Sequence, residues 1–220
     1  MAYDLEEQES LDQLKAWWEK WGNVVLGTIT VGCLAFAGVN GWNWYERNQG
    51  AKATAAYVQL QNAYLQGDTK NVTSISDGLM KDYSRHVFAS LGAFIRAADA
   101  QKAGKFGEAR TALTWVVEKS GHPEYAMTAR IRLAGVALDE GKAEEALSIL
   151  TAVKPGEGDA VAYNDRLGDV YLALNRPDEA KKAWQTALEA DRFDGAVTPY
   201  INLKLQSLPA AQECFFKRRA

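Results

Sequence analysis

Two rhythms of hydrophobic and polar positions divide this chain. From Trp21 to Tyr45, 25 consecutive residues carry no charge. A helix rises about 1.5 Å per residue and a bilayer core is about 30 Å thick, so roughly 20 apolar residues cross it. Trp17, Trp18 and Trp21 stand at one edge of the run, and Trp42, Trp44 and Tyr45 at the other. Trp21 and Trp42 are 21 positions apart, about 31 Å along a helix, which is the spacing of two aromatic belts at headgroup level. A buried helix of a soluble protein rarely sustains such a run, because its outer face must meet water. A cleaved signal peptide needs a basic start, a short apolar core and small residues at the cut. Here Asp4, Glu6, Glu7, Glu9, Asp12 and Glu19 outnumber Lys15 and Lys20, and aromatic residues follow the run. The pattern predicts an uncleaved transmembrane anchor over 21–45, facing the lipid bilayer. Within it Cys33, Ala37 and Gly41 recur every fourth residue, with Gly38 beside them. Such a strip of small side chains lets another helix approach closely, and simple tolerance of small residues in lipid is the competing reading.

Past Arg47 the rhythm becomes that of soluble helices, rich in Ala, Leu, Lys and Glu. It repeats. "RLAGVALDEGKAEEALSIL" (132–150) and "RLGDVYLALNRPDEAKKAW" (166–184) superpose without a gap at a shift of 34. Leu133 meets Leu167, Gly141 meets Asn175, Ala146 meets Ala180, and Leu150 meets Trp184. Gly104 to Ala109 makes the same five-residue step as Gly141 to Ala146 and Asn175 to Ala180. A unit of two helices at this period resembles the tetratricopeptide repeat, most closely over 160–190, where Leu167, Gly168, Tyr171, Ala180, Trp184 and Ala187 fit that pattern. Departures are Arg96 at a Leu position, Arg192 in place of the closing Pro, no early Trp, and a segment at 50–82 barely in register. The expectation is an all-α chain: one amino-terminal transmembrane helix, then an irregular solenoid of helical hairpins closed by a capping helix near Val197–Leu208. The domains expected are an acidic tail at 1–20, the transmembrane helix at 21–45, the repeat domain at 46–209 and a short tail at 210–220.

Charge changes this picture little. The net is −4 over residues 1–20 and +1 over 46–220, within −3 for the whole chain of 220 residues. A nearly neutral repeat domain has no long-range field to recruit nucleic acid, so none is expected as a partner. Lys15 and Lys20 on one side of the anchor balance Arg47 and Lys52 on the other, so basic residues do not orient it. A short tail before an uncleaved anchor favours a cytoplasmic amino terminus and an external repeat domain. Cys33 lies in the anchor and Cys214 in the tail, leaving the repeat domain no internal disulfide.

Candidate chemistry is sparse. His86 and His122 stand in different linkers with no second His or Cys nearby, and read as surface loop residues. "PGEGD" (155–159) lacks the glycine spacing and Lys of a phosphate loop and reads as a turn. Glu144–Glu145 and Asp178–Glu179 open second helices, where acidic residues favour the helix dipole. Neither catalysis nor a cofactor or metal is expected.

The opening "YDLEEQESLDQLKAWWEKWGN", the single anchor after it, "GWNWYERN" and the repeats together resemble the ancillary subunit family of the bacterial SecYEG translocon (the YfgM family). The resemblance spans nearly the whole chain except the tail "QECFFKRRA". It implies a single-pass inner-membrane protein with a cytoplasmic amino terminus and a periplasmic repeat domain. It also implies association with SecYEG, with a PpiD-like periplasmic chaperone and with exported polypeptides. A scaffold for cell-envelope assembly is the alternative. Helical solenoids bind along the concave face lined by the first helix of each repeat. In the tetratricopeptide register that face carries Leu91, Phe94, Ile131, Leu138 and Leu172, with Asp139, Asp165 and Asp169 among them; hairpin packing is the competing role for its apolar members. It lacks the Lys and Asn that clamp acidic peptide ends in some related repeats, so an apolar or basic partner segment is expected.

Overall fold

The computed structural model describes residues 3–191, 195 and 197–208, with the backbone alone for 3–8. Arg192, Cys214 and the tail at 210–220 lie outside the described residues. Among the described residues all regular structure is helical. The first helix, α1 (Tyr3–Gln66), contains the uncharged run, and the chain divides into two compact units between Lys52 and Ala53.

In the first unit most described apolar side chains of the uncharged run are exposed. Leu26, Ile29, Val31, Leu34, Phe36 and Val39 are all exposed, and α1 is long and apolar enough to cross a membrane. Three polar side chains of the run turn back on the helix. Thr28 Oγ1 and Thr30 Oγ1 each donate at 2.8 Å to the carbonyls of Val24 and Leu26, and Asn40 Nδ2 donates to the Phe36 carbonyl at 2.9 Å. Lipid offers no hydrogen bonds, so a spanning segment must satisfy its polar groups internally.

The second unit begins with the last turns of α1 and continues through α2 (Thr69–Asp82), α3 (Val87–Lys102), α4 (Phe106–Lys119), α5 (Ala126–Asp139), α6 (Ala143–Thr151), α7 (Ala160–Ala173), α8 (Pro177–Ala190) and α9 (Thr198–Ser207). One turn recurs four times within it. Gly67, Gly104, Gly141 and Asn175 have φ of 72°, 70°, 75° and 56°, the left-handed conformation that a residue without Cβ adopts freely and Asn tolerates. At each turn the next residue's N–H closes back onto the preceding helix: Asp68 to Ala63, Lys105 to Ala100, Lys142 to Ala137 and Arg176 to Tyr171, at 2.8 to 2.9 Å. Five residues after each left-handed position comes a fully buried residue: Val72, Ala109, Ala146 and Ala180. The segment at 50–82 is therefore a full member of the series. Its register is hard to read because Val72 takes the place of Ala and its first helix is the end of α1.

Each hairpin packs on the next through small, mostly apolar clusters. Ala53, Leu60, Val72 and Leu79 form the first; Ala93, Phe94, Ala97, Leu113, Val116 and Val136 tie α3 and α4 to α5. Ile131, Ala134, Leu150, Tyr163 and Val170 tie α5 and α6 to α7. Trp184, Ala180, Ala187 and Ile201 close α8 against α9, which is the capping helix expected near 197–208. Trp184 is 1% exposed. Trp115, by contrast, only packs partly buried against its cluster. Arg96 keeps the Leu position of its hairpin by pairing with Glu108 on α4, Nη2 to Oε2 at 2.5 Å. His122 joins two linkers, its ring nitrogens lying 2.8 Å from Glu124 Oε1 and 3.0 Å from the Arg85 carbonyl oxygen.

Candidate polypeptide-binding face

The first helices of successive hairpins, α3, α5 and α7, meet through side chains that cross from one to the next. Gln101 on α3 donates its amide to Asp139 on α5. Arg132 on α5 reaches back to Phe94 on α3, its Cζ 4.5 Å from the ring centroid. Arg166 on α7 lies over Gly135 on α5, where an added Cβ would stand 3.3 Å from Cζ. Absence of a side chain at Gly135 thus makes the shelf on which this guanidinium rests. At the carboxyl end, Lys204 of α9 donates to Asp165 Oδ1 at 2.6 Å and to Asp169 Oδ1 at 2.7 Å.

The residues expected on this face fall into distinct settings. Phe94, 6% exposed, and Ile131, 8% exposed, lie within the packing between hairpins. Leu91 and Leu138 are half-buried against the same clusters, and Leu172 stands 41% exposed. Asp139 is exposed and takes the Gln101 amide. Asp165 and Asp169 are brought together by Lys204, with Arg166 Nη1 3.4 Å from Asp169 Oδ2. Burial pushes the Asp169 carboxyl above the ordinary aspartate range even with Lys204 beside it. In the anchor, Cys33 is exposed and a Cβ on Gly38 or Gly41 would meet nothing within 4 Å, so the strip with Ala37 is open.

Arg132, Arg166, Gln101 and Lys204 are the contributors that the sequence pattern did not single out. Arg132 and Arg166 carry one legible signal, since they stand 34 positions apart and occupy the same register in successive repeats.

Residues 15–210 match the tetratricopeptide repeat-like domain family. A protein of Aggregatibacter actinomycetemcomitans named ancillary SecYEG translocon subunit is 31% identical over 192 residues, covering 86% of this chain and 92% of that protein. The chain belongs to the ancillary SecYEG translocon subunit family. Further relatives with that name come from Haemophilus influenzae, 26% identical over 190 residues (86% of this chain, 92% of that protein), and Neisseria gonorrhoeae, 27% identical over 210 residues (94% and 100%). The tetratricopeptide repeat-like match takes in residues 15–20 before the anchor, the anchor itself and every hairpin described above. In this ancillary translocon subunit family member, apolar span and helical hairpins thus belong to one recognised pattern.

Proposed function

We propose that the chain is a membrane-anchored interaction module at the Sec translocon, linking exported polypeptides to periplasmic chaperones of the PpiD-like kind. In this reading the amino terminus lies in the cytoplasm, α1 spans the inner membrane once, and the hairpin domain stands in the periplasm. The observation that carries it is the union, in a family named for the SecYEG translocon, of one uncovered apolar span with a series of helical hairpins. Hairpin series are binding platforms more than catalysts, since stacked repeats present an extended surface. The polypeptide surface is that of α3, α5 and α7, with Leu91, Phe94, Ile131, Leu138, Asp139, Asp165, Asp169 and Leu172 forming or supporting it. The open strip at Cys33, Ala37 and Gly41 serves a neighbouring membrane helix.

The test is photo-crosslinking in cells from Leu172, combined with purification in mild detergent. Adducts with exported chains and recovery of SecYEG and a periplasmic chaperone are the expected results. Adducts confined to wall-synthesis proteins would overturn the reading in favour of an envelope scaffold. Replacing Ala37 and Gly41 by Leu should reduce SecYEG recovery, and unchanged recovery would remove the helix-contact part. Protease added to spheroplasts should cut the hairpin domain and spare residues 1–20; the reverse pattern would overturn the orientation.

A further inference from the structure

The face of α3, α5 and α7 has a charge pattern different from the one its sequence suggests. Asp165 and Asp169, its apparent acidic centre, share Lys204 at 2.6 and 2.7 Å, and Asp169 also faces Arg166 at 3.4 Å. Lys204 engages both carboxylates, so neither is left free to receive a cation from outside. A basic segment arriving there would have to displace Lys204, and with it the helix whose Ile201 is buried beside Trp184.

Arg132 is in the opposite position. No carboxylate among the described residues pairs with it, and its contact is the ring of Phe94, which attracts the cation but accepts no ordinary hydrogen bond. The residue is exposed to water, yet desolvation holds its pKa below the ordinary arginine value. Arg166, its counterpart one repeat on, lies flat over Gly135, and its Nε is buried without an acceptor. Guanidinium forks match carboxylates bidentately, and their weak hydration suits them to partly enclosed sites. Asp139 is the nearby acid on α5, two turns along from Arg132, with its carboxylate engaged by Gln101.

We propose that the face of α3, α5 and α7 receives an acidic polypeptide segment, with a carboxylate held at Arg132 and Arg166 beside it. This rests on the reading of that face as a polypeptide surface and names the chemistry it selects, in place of the apolar or basic segment expected from the sequence. Exposed Leu172 on α7 offers an apolar contact alongside, so the segment mixes acidic and apolar residues.

The test uses the full chain in nanodiscs and a fluorescein-labelled peptide of Ser-Glu-Leu repeated four times, with Gln-for-Glu and Lys-for-Glu counterparts. Fluorescence anisotropy should show the Glu peptide binding at least about tenfold tighter than the Gln peptide, with affinity falling as salt rises. Arg132→Gln should abolish that preference, and Arg132→Lys should keep part of it, since a point charge replaces a fork. Arg166→Gln should weaken it less than Arg132→Gln. Equal binding of the Glu and Gln peptides, or tighter binding of the Lys peptide, overturns the proposal. So does an unchanged Glu preference in an Arg132→Gln chain that melts like the parent. SecYEG recovery is measured in parallel: full recovery with no Glu preference removes the acidic site and spares the proposed function, and a Glu preference without recovery does the reverse.

Discussion

The indole of Trp184 lies against the bare backbone of Gly168: a Cβ added there would stand 2.3 Å from Trp184 Nε1. The same Nε1 donates to the Asp165 carbonyl at 3.1 Å, one helical turn before the glycine. The largest side chain of the hairpin thus occupies the one place where its neighbour has none, and its single polar atom is satisfied. Trp184→Ala leaves a core void and is expected to cost roughly 3–5 kcal/mol. Gly168→Ala forces the ring aside and is expected to cost about 1–3 kcal/mol. Trp115→Ala, at a partly buried position, should cost clearly less than Trp184→Ala. Circular dichroism melting of the full chain in detergent ranks the three; Trp115→Ala below Trp184→Ala in melting temperature would contradict this packing.

Lys204 and the Asp165–Asp169 pair make an asymmetric triad. Burial alone would lower the lysine pKa, but the hydrogen bonds it donates to both carboxylates hold it above the ordinary value. Removing the cation leaves two carboxylates facing each other, whereas removing one carboxylate relieves that repulsion. Lys204→Gln is therefore expected to cost about 2 kcal/mol, between the values for exposed and buried pairs. Asp169→Asn should stay within about 1 kcal/mol of the parent. Equal losses in the two melts would show that the lysine pairs with Asp169 alone.

Acid should loosen links both within and between hairpins. Hydrogen bonds from Arg96 and Arg110 hold Glu108 and Glu145 below the ordinary glutamate value of 4.5. Their folded pKa lies below the unfolded one, so the unfolded chain binds more protons in that window. The stability they contribute is present above pH 4.5 and is lost as pH falls through the depressed folded values. Both carboxylates are exposed at the surface, so the slope is gentle. Melting temperature between about pH 5 and pH 3 should fall more steeply for the parent than for the Glu108→Gln, Glu145→Gln double variant. Parallel slopes would assign the acid sensitivity elsewhere.

The recurring left-handed turn gives a graded series. The left-handed conformation at Gly104, Gly141 and Asn175 costs an ordinary residue about 1–2 kcal/mol. Gly104→Ala and Gly141→Ala should each lower stability by about that amount, and Asn175→Ala by less, because Asn already bears part of the cost. Asn175→Gly should be neutral or slightly stabilising. Chemical denaturation midpoints check the order, and a destabilised Asn175→Gly would mean that the Asn side chain is needed at the turn.

These particulars show what a linear pattern can carry. Gly104, Gly141 and Asn175 are legible because a left-handed turn narrows the choice of residue and recurs at a near-constant period. Trp184 is legible because the register places a large residue opposite Gly168. Gly67 escaped that pattern because Val72 is larger than the Ala that marks the other turns. The corner of Asp165, Asp169 and Lys204 was not legible, since it joins groups 35 and 39 positions apart and one of them lies on a helix outside the repeat. Phe94 and Ile131 look alike in sequence whether they line a surface or fill the space behind it; only the neighbouring hairpins decide.

Helices in the hairpin domain meet chiefly those next to them in the chain, α2 with α3, α3 with α4, and so on to α8 with α9. Short loops close quickly, because few contacts must wait for distant residues. Synthesis runs in the same direction as the stack, so each hairpin can settle on its predecessor while the next is still being made. The final step is then the arrival of Lys204 between two waiting carboxylates, which makes α9 a marker of completion. A chain halted before α9 would hold its earlier hairpins and leave Trp184 without Ile201 over it, an apolar surface of the kind by which unfinished protein differs from finished protein.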